Sequence, residues 1–476
     1  MPANGASGKV RFEATEGVDR CLWGREIKEL RPSLLEGIKP HSGDAIMATR
    51  QGHPVWTRRL VDGRPVMTVA QPVRDLVHGE FLHQRFSSES FLPLLPWIAF
   101  ARHVGGPAEW RRPGIGACFV WDDPNLKRAR YGYLVLRKLA KHAREHGYHT
   151  ALAMIPMDME HASPEAVGVV KEFGDALSLL IHGNDHLDHE LGSRLPLAEA
   201  QSMLAQALAR TARFERRFGV EVPRVMEAPH GLYDAEMLQC LSEAGFNAAL
   251  ITPVHLTSHN TSVGWPLDVG LRSCDCLPGG LGFIPRIRMS SSWSAEALLA
   301  VYLDQPVLIA GHHQDAARGL DFLRELSELL RGVPGLRWDS VGGLARMNYL
   351  QRTAGTRLEV RAFSRWIDVV VPEGAEEVKL EPSWECAGGP VPLRFRRQSE
   401  TEWTQVVMEP RGSSGHEAVV KVAGARRIEF HCPSRPHPGT ASIPERSSRL
   451  WPLIRRRMTE ARDRSRPWWG ALARDH

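Results

Sequence analysis

Long hydrophobic runs are missing from this chain. The longest, Phe91 to Ala101, is eleven residues and carries two prolines, far short of the roughly 20 apolar residues that cross a bilayer. Met1 to Val10 has neither the basic start nor the apolar core of a secretory signal, so a cytoplasmic location is expected. Cysteine is sparse: seven, an odd number, lie scattered along 476 residues. They form no disulfide framework, and reduced thiols are the simpler reading. Cys274-Asp275-Cys276 is too tight for a zinc ribbon. Excess charge is missing too, except at one end. From Arg449 onward eight arginines face Glu460, Asp463 and Asp475, a balance of +5 that equals the formal charge of the whole protein. The remainder is near neutral, which argues against a nucleic-acid surface.

What is present is an ordinary globular composition, 43% hydrophobic and 24% charged, over a length that implies two or three domains. Residues 1–112 read as an N-terminal α/β segment, with strand-like runs at 44–49, 54–56 and 64–69 and a helix within 91–104. From 113 to 350, strands and helices alternate. Strands are expected at 117–121, 148–155, 177–181, 224–226, 247–251, 283–289 and 306–310. Helices are expected at 131–146, 164–174, 196–218, 234–244, 294–303 and 315–330, with glycines at many of their ends. This rhythm predicts parallel βα units, as a barrel or a doubly wound sheet. Residues 351–432 suggest short strands of a small β-sandwich. Residues 433–476 read as a Pro- and Arg-rich linker followed by a basic, aromatic tail.

Polar residues fall repeatedly at the carboxyl ends of the expected strands, the edge where parallel βα folds place their sites. Asp122-Asp123 follows the first, His182-Gly183-Asn184-Asp185-His186 another. Pro229-His230-Gly231 closes the strand at 224–226, and Gly311-His312-His313 follows the last. One carboxylate and two imidazoles make a three-ligand site that leaves a position for water, whose pKa a cation lowers towards neutrality. A second carboxylate could take the proton from that water, and a histidine across the pocket could protonate the leaving group.

These residues also resemble a family. The polysaccharide deacetylases, carbohydrate esterase family 4, carry Asp-Asp after the first strand, then His-Ser/Thr-x-x-His, then Arg-x-Pro-x-Gly, and late in the domain Leu-x-x-His. Asp122-Asp123, His182 to His186, Glu227 to Gly231, and Ile309 to His312 stand here in that order. The resemblance implies a distorted (β/α) barrel, a divalent metal (zinc by default) and hydrolysis of acetyl groups from an N- or O-acetylated sugar or glycan. By the family pattern Asp122 is the general base, Asp123, His182 and His186 hold the metal, and His312 is the general acid. Glu227, Pro229, His230 and Gly231 are expected on the substrate wall. Two departures stand out. Gly183 replaces the Ser or Thr that steadies the metal loop. Glu227 replaces an Arg that pairs with the catalytic Asp, leaving Arg224, Arg286 or Arg288 as sources of the missing cation.

Plainer readings stand beside these. Asp122-Asp123 before Pro124-Asn125 is also good turn chemistry. His189 is an alternative ligand or a solvated residue. Only one of His312 and His313 should face inward, since neighbours leaving a strand point opposite ways. Asn184 and Asp185 could orient the imidazoles or simply cap the loop. The function classes left open are a metal-dependent deacetylase, an inactive carbohydrate-binding or scaffolding protein, and a two-carboxylate glycoside hydrolase. In the tail, aromatics beside arginines suit an anionic membrane surface. Pro452 and Pro467 instead favour a solvated segment without a long helix.

Overall fold

The computed structural model describes residues 8–31, 37–106, 110–187, 189–386, 389–411, 415–434 and 450–472, the last with side chains to residue 463. Seven strands form its centre: β1 (Ile115–Asp122), β2 (Thr150–Met154), β3 (Leu177–His182), β4 (Val225–Glu227), β5 (Ala248–Ile251), β6 (Leu281–Arg288) and β7 (Val307–His312). Each pairs in parallel with the next, and β7 returns to pair with β1. The ring is closed, which removes the sheet edges. The expected (β/α) barrel is the observed architecture, and the helices fall between its strands.

The strands are apolar because both faces are covered. All eight positions of β1 are buried. Outward residues such as Phe119 and Trp121 pack under the helices, while Cys118 and Val120 point inside. The interior is filled by small and branched side chains, among them Ala151, Ala153, Leu180, Val225, Leu250 and Leu308. A short helix, Val341–Arg346, stoppers the lower end with Val341, Leu344 and Ala345. Gly116 admits it: a Cβ there would lie 2.7 Å from Leu344 Cγ.

Side chains on a strand alternate with period two. Following the inward phase towards the carboxyl ends gives Asp122, His182, Glu227, Arg286 and His312. The layers beneath are apolar and this one is charged. The strand pattern thus builds the polar rim.

Outside the barrel, five antiparallel strands between Lys9 and Val69 form a sheet whose Phe12 and Trp56 share a core with the barrel helices. A helix, Leu95–Val104, follows. After the barrel, eight strands from Tyr349 to His431 pair in one continuous order around a separate core that includes Val360, Val369, Val420 and Phe430. All seven cysteines are unbonded. No helix among the described residues is long and apolar enough to cross a membrane.

Two further helices shape the site: α1 (Leu197–Phe218), which ends at the left-handed Gly219, and α2 (Leu450–Leu472). The second corrects the expectation for the tail. Pro452 sits in the first turn, where its missing N–H costs nothing, and tertiary contacts outweigh local propensity. Arg456, Glu460 and Asp463, at i, i+4 and i+7, are buried and contact residues after β1, after β2 and after β7. The tail from 450 to 463 is therefore a docked helix. Of the expected linker, residues 435–448 lie outside the described residues.

Candidate metal centre

Asp122 ends β1 pointing into the barrel and is almost wholly buried. Its neighbour should face away, but the chain turns at Asp123 with φ of 76°. That left-handed conformation is uncommon for a residue with a Cβ. It brings the second carboxylate back to the same rim. Asp123 Oδ1 lies 2.8 Å from His186 Nε2 and 3.7 Å from His182 Nε2. One ligand atom from each of Asp123, His182 and His186 falls within 4.8 Å of the others. Asp122, His182 and Glu227 form an overlapping second set.

The protonation state of His182 suits this grouping. His182 Nδ1 donates to the Glu227 carbonyl at 3.1 Å, which fixes the tautomer and leaves the Nε2 lone pair facing Asp123. Burial pushes the His182 pKa down to about 4, so the ring is neutral over the ordinary range, as a ligand must be. Burial also lowers His186, but its contact with Asp123 outweighs that and raises it. Burial opposes charge on Asp123, yet His186, His182 and Arg456 hold its carboxyl well below the usual range.

The loop carrying both histidines is braced from below. Glu190, itself buried, accepts from the backbone N–H of Asn184 (2.7 Å), Asp185 (3.1 Å) and His186 (3.1 Å). Arg210 of α1 donates to Asn184 Oδ1 at 2.8 Å and Asp185 Oδ1 at 2.7 Å. Asn184 also donates to Gln206. The two loop residues therefore tie the loop to α1. Gly183 has φ of 61°, and a Cβ there would lie 2.0 Å from Glu190 Oε1. Glycine at this position is what lets Glu190 reach the loop.

The other departure is compensated as well. Arg286 on β6 pairs with Asp122 and lies 2.9 Å from Glu227 Oε1. Arg224 is engaged by Glu215 instead, at 2.8 Å, and Arg288 is exposed on the cavity wall. So Arg286 is the missing cation, supplied from another strand. Glu227 itself corrects an expectation. It has no exposed surface and is not among the residues that line the cavity. Burial pushes its carboxyl well up, Arg286 opposes this, and the charge of Asp122 adds to it.

A cavity of about 440 Å³ opens above these groups. His230 and Gly231 line it, while Pro229 packs where a Gly183 side chain would stand. His312, about half exposed, reaches 4.0 Å from Asp122 Oδ2 and 3.9 Å from Asp123 Oδ2. His313 faces the other way, buried against Tyr131 and Tyr133 and 3.7 Å from Asp463. His189 is exposed, 5.5 Å from the His230 ring, and stands outside the ligand group. One wall is α2, with Pro452, Arg455, Thr459 and Arg462; Thr252, His255 and Gln314 also line the cavity. Sequence reasoning missed Glu190, Arg210 and this wall. Arg210 had a signal, since it falls on the apolar stripe of α1 with Met203, Leu204, Ala207 and Phe214. A buried arginine there needs an anionic partner.

No family model and no curated protein matches the chain. Among solved structures, it is similar to a family 4 carbohydrate esterase from Streptomyces lividans in complex with acetate. The identity is 15% and the TM-score 0.31, over 48% of this chain and 94% of that one. A Mycobacterium smegmatis protein classed as a polysaccharide deacetylase gives 14% and 0.36, over 51% and 93%. A 4-α-glucanotransferase from Thermococcus litoralis gives 12% and 0.34, over 48% and 39%. Overlaps this low carry no argument about chemistry, which rests on the geometry of the site.

Proposed function

We propose that the barrel mouth is the site of a metal-dependent hydrolase that removes acetyl groups from an N- or O-acetylated sugar or glycan intermediate. The observation that carries this is the gathering of Asp123, His182 and His186 ligand atoms within 4.8 Å at an open cavity, with Asp122 and His312 beside them. One carboxylate and two imidazoles suit zinc. When bound, such a cation polarises an acyl carbonyl and acidifies a water molecule. The protein supplies the rest. Asp122 is buried at the end of β1 and oriented by Arg286. It is placed to take the proton of the attacking water. His312, on the exposed side, is placed to protonate the departing amine or alcohol. The chain order of the four motifs supports an acetylated sugar as the substrate class.

The inactive reading rested on Gly183 and Glu227, and Glu190 and Arg286 compensate for both. The glycoside hydrolase reading needs two carboxylates flanking an open space, whereas Glu227 is closed off beneath Arg286. Acetate release from acetylated monosaccharides and oligosaccharides tests the proposal. The wild type should release acetate, and Asp122→Asn should not while still retaining its metal. Metal bound with no acetate released from any of them would leave a metal-holding binder.

A further inference from the structure

Helix α2 has a third face. One face is docked on the barrel through Arg456, Glu460 and Asp463, and a second lines the cavity with Pro452, Arg455, Thr459 and Arg462. The side turned away from the barrel is apolar. Leu450 is 72% exposed, Trp451 64%, Ile454 42% and Met458 66%. At 100° per residue these four fall within an arc of about 100°. A soluble helix that has already buried one face gains nothing from presenting a second apolar stripe to water.

The sequence extends the pattern. The residues that follow in the chain include Arg464, Arg466 and Trp468-Trp469. Arginines border the stripe on both sides: by helical spacing Arg457 falls on one flank, Arg455 and Arg462 on the other. The excess positive charge of the protein resides in this segment. An apolar stripe that includes a tryptophan and is edged by arginine is complementary to the boundary between acyl chains and anionic headgroups.

We infer that the outward face of α2 docks the protein on an anionic phospholipid surface, with the helix lying in the interface. The same helix forms one wall of the cavity, so docking sets the barrel mouth beside the bilayer. Should the proposed deacetylation hold, its substrate would be a glycan carried by the membrane; the docking itself does not depend on that reading.

The test is cosedimentation of the full chain with vesicles of phosphatidylcholine alone and of phosphatidylcholine with phosphatidylglycerol. Binding should appear with the anionic vesicles, weaken with added salt, and be at least tenfold weaker on neutral ones. The variant Trp451→Ser/Ile454→Ser/Met458→Ser alters only exposed positions and should keep the wild-type circular dichroism and melting temperature while losing at least tenfold in vesicle affinity. Absence of binding to anionic vesicles, or equal binding by wild type and variant, overturns the inference. So does sedimentation velocity showing a dimer that the variant abolishes, which would assign the face to a second copy of the chain. Metal content and acetate release, measured on the same wild-type protein without lipid, report separately on the hydrolase reading.

Discussion

Arg456 donates through Nη2 to the backbone carbonyl of Asp123 at 2.6 Å and through Nε to Asp158 Oδ2 at 2.6 Å. The residue it caps is the one whose left-handed turn brings the second carboxylate to the rim. Arg455 makes a longer contact, 3.4 Å, to the carbonyl of His186, whose φ is also positive at 56°. Two consecutive arginines, more than 250 residues along the chain from these positions, thus hold the backbone of two candidate ligands. Strained conformations of this kind persist only where the surroundings over-determine them.

The first prediction follows from that contact. Arg456→Ala should weaken metal binding by about tenfold or more, as loss of a group that orients ligands does. Arg456→Lys keeps a charge for Asp158 but cannot serve both acceptors with a planar fork, so it should fall between. Titration of the chelator-stripped protein with cobalt, followed by its visible absorption, measures both affinity and ligand geometry. An unchanged spectrum and affinity in a folded Arg456→Ala protein would show that the contact is only structural.

Gly183 gives a prediction opposite to the family pattern. Restoring the hydroxyl with Gly183→Ser should destabilise the protein by about 2 kcal/mol or more, because the new Cβ meets Glu190 and Pro229. Metal affinity should fall with it. Urea unfolding of Gly183→Ser and Gly183→Ala checks this; a neutral or stabilised serine variant contradicts it.

Burial favours the protonated form of Glu227, so Glu227→Gln should be tolerated to within about 1 kcal/mol, while Glu227→Ala, which removes one of the two buried carboxyls facing Arg286, should cost about 3 kcal/mol. The pH dependence has a definite sign. A carboxyl whose folded pKa is raised favours folding while protonated, and that contribution is lost as pH climbs above the usual carboxylate range. The wild type should therefore lose stability relative to Glu227→Gln as pH rises from the usual carboxylate range into the neutral range. A constant gap across that range would mean the carboxyl carries no raised pKa.

Asp463 titrates the other way. Burial alone would raise it, but the His313 ring and the Arg462 guanidinium outweigh burial and hold it down to about 2. A depressed carboxyl stabilises the fold above its unfolded value, near 4, and the contribution vanishes as pH falls towards 2. Wild type and Asp463→Asn should differ in melting temperature by a constant amount above about pH 4. The difference should shrink steadily below it.

Much of this was legible from sequence because the barrel repeats one simple pattern. The parallel strands are largely apolar until their carboxyl ends, because in a closed barrel both faces of a strand are buried, so the signal is strong. Four motifs at their carboxyl ends follow from the same regularity, and the inward phase places Asp122, His182 and His312 together. What could not be read depends on long-range pairing. Arg224, Arg286 and Arg288 were equivalent candidates in sequence; only the register of β6 with its neighbours selects Arg286. Glu227 was assigned to the substrate wall because spacing gives position along a strand but not depth. The tail misled for a related reason. Its prolines lower helix propensity locally, whereas Arg456, Glu460 and Asp463 find their partners on loops of the barrel.

The account stands or falls on one cation at the barrel mouth. Metal content of the purified full chain, compared with that of His182→Ala, tests this most directly. One divalent ion per chain in the wild type, lost in a folded His182→Ala protein, is the predicted result. A wild type that takes up no stoichiometric ion after incubation with zinc, or a His182→Ala protein that retains it, would contradict the central claim.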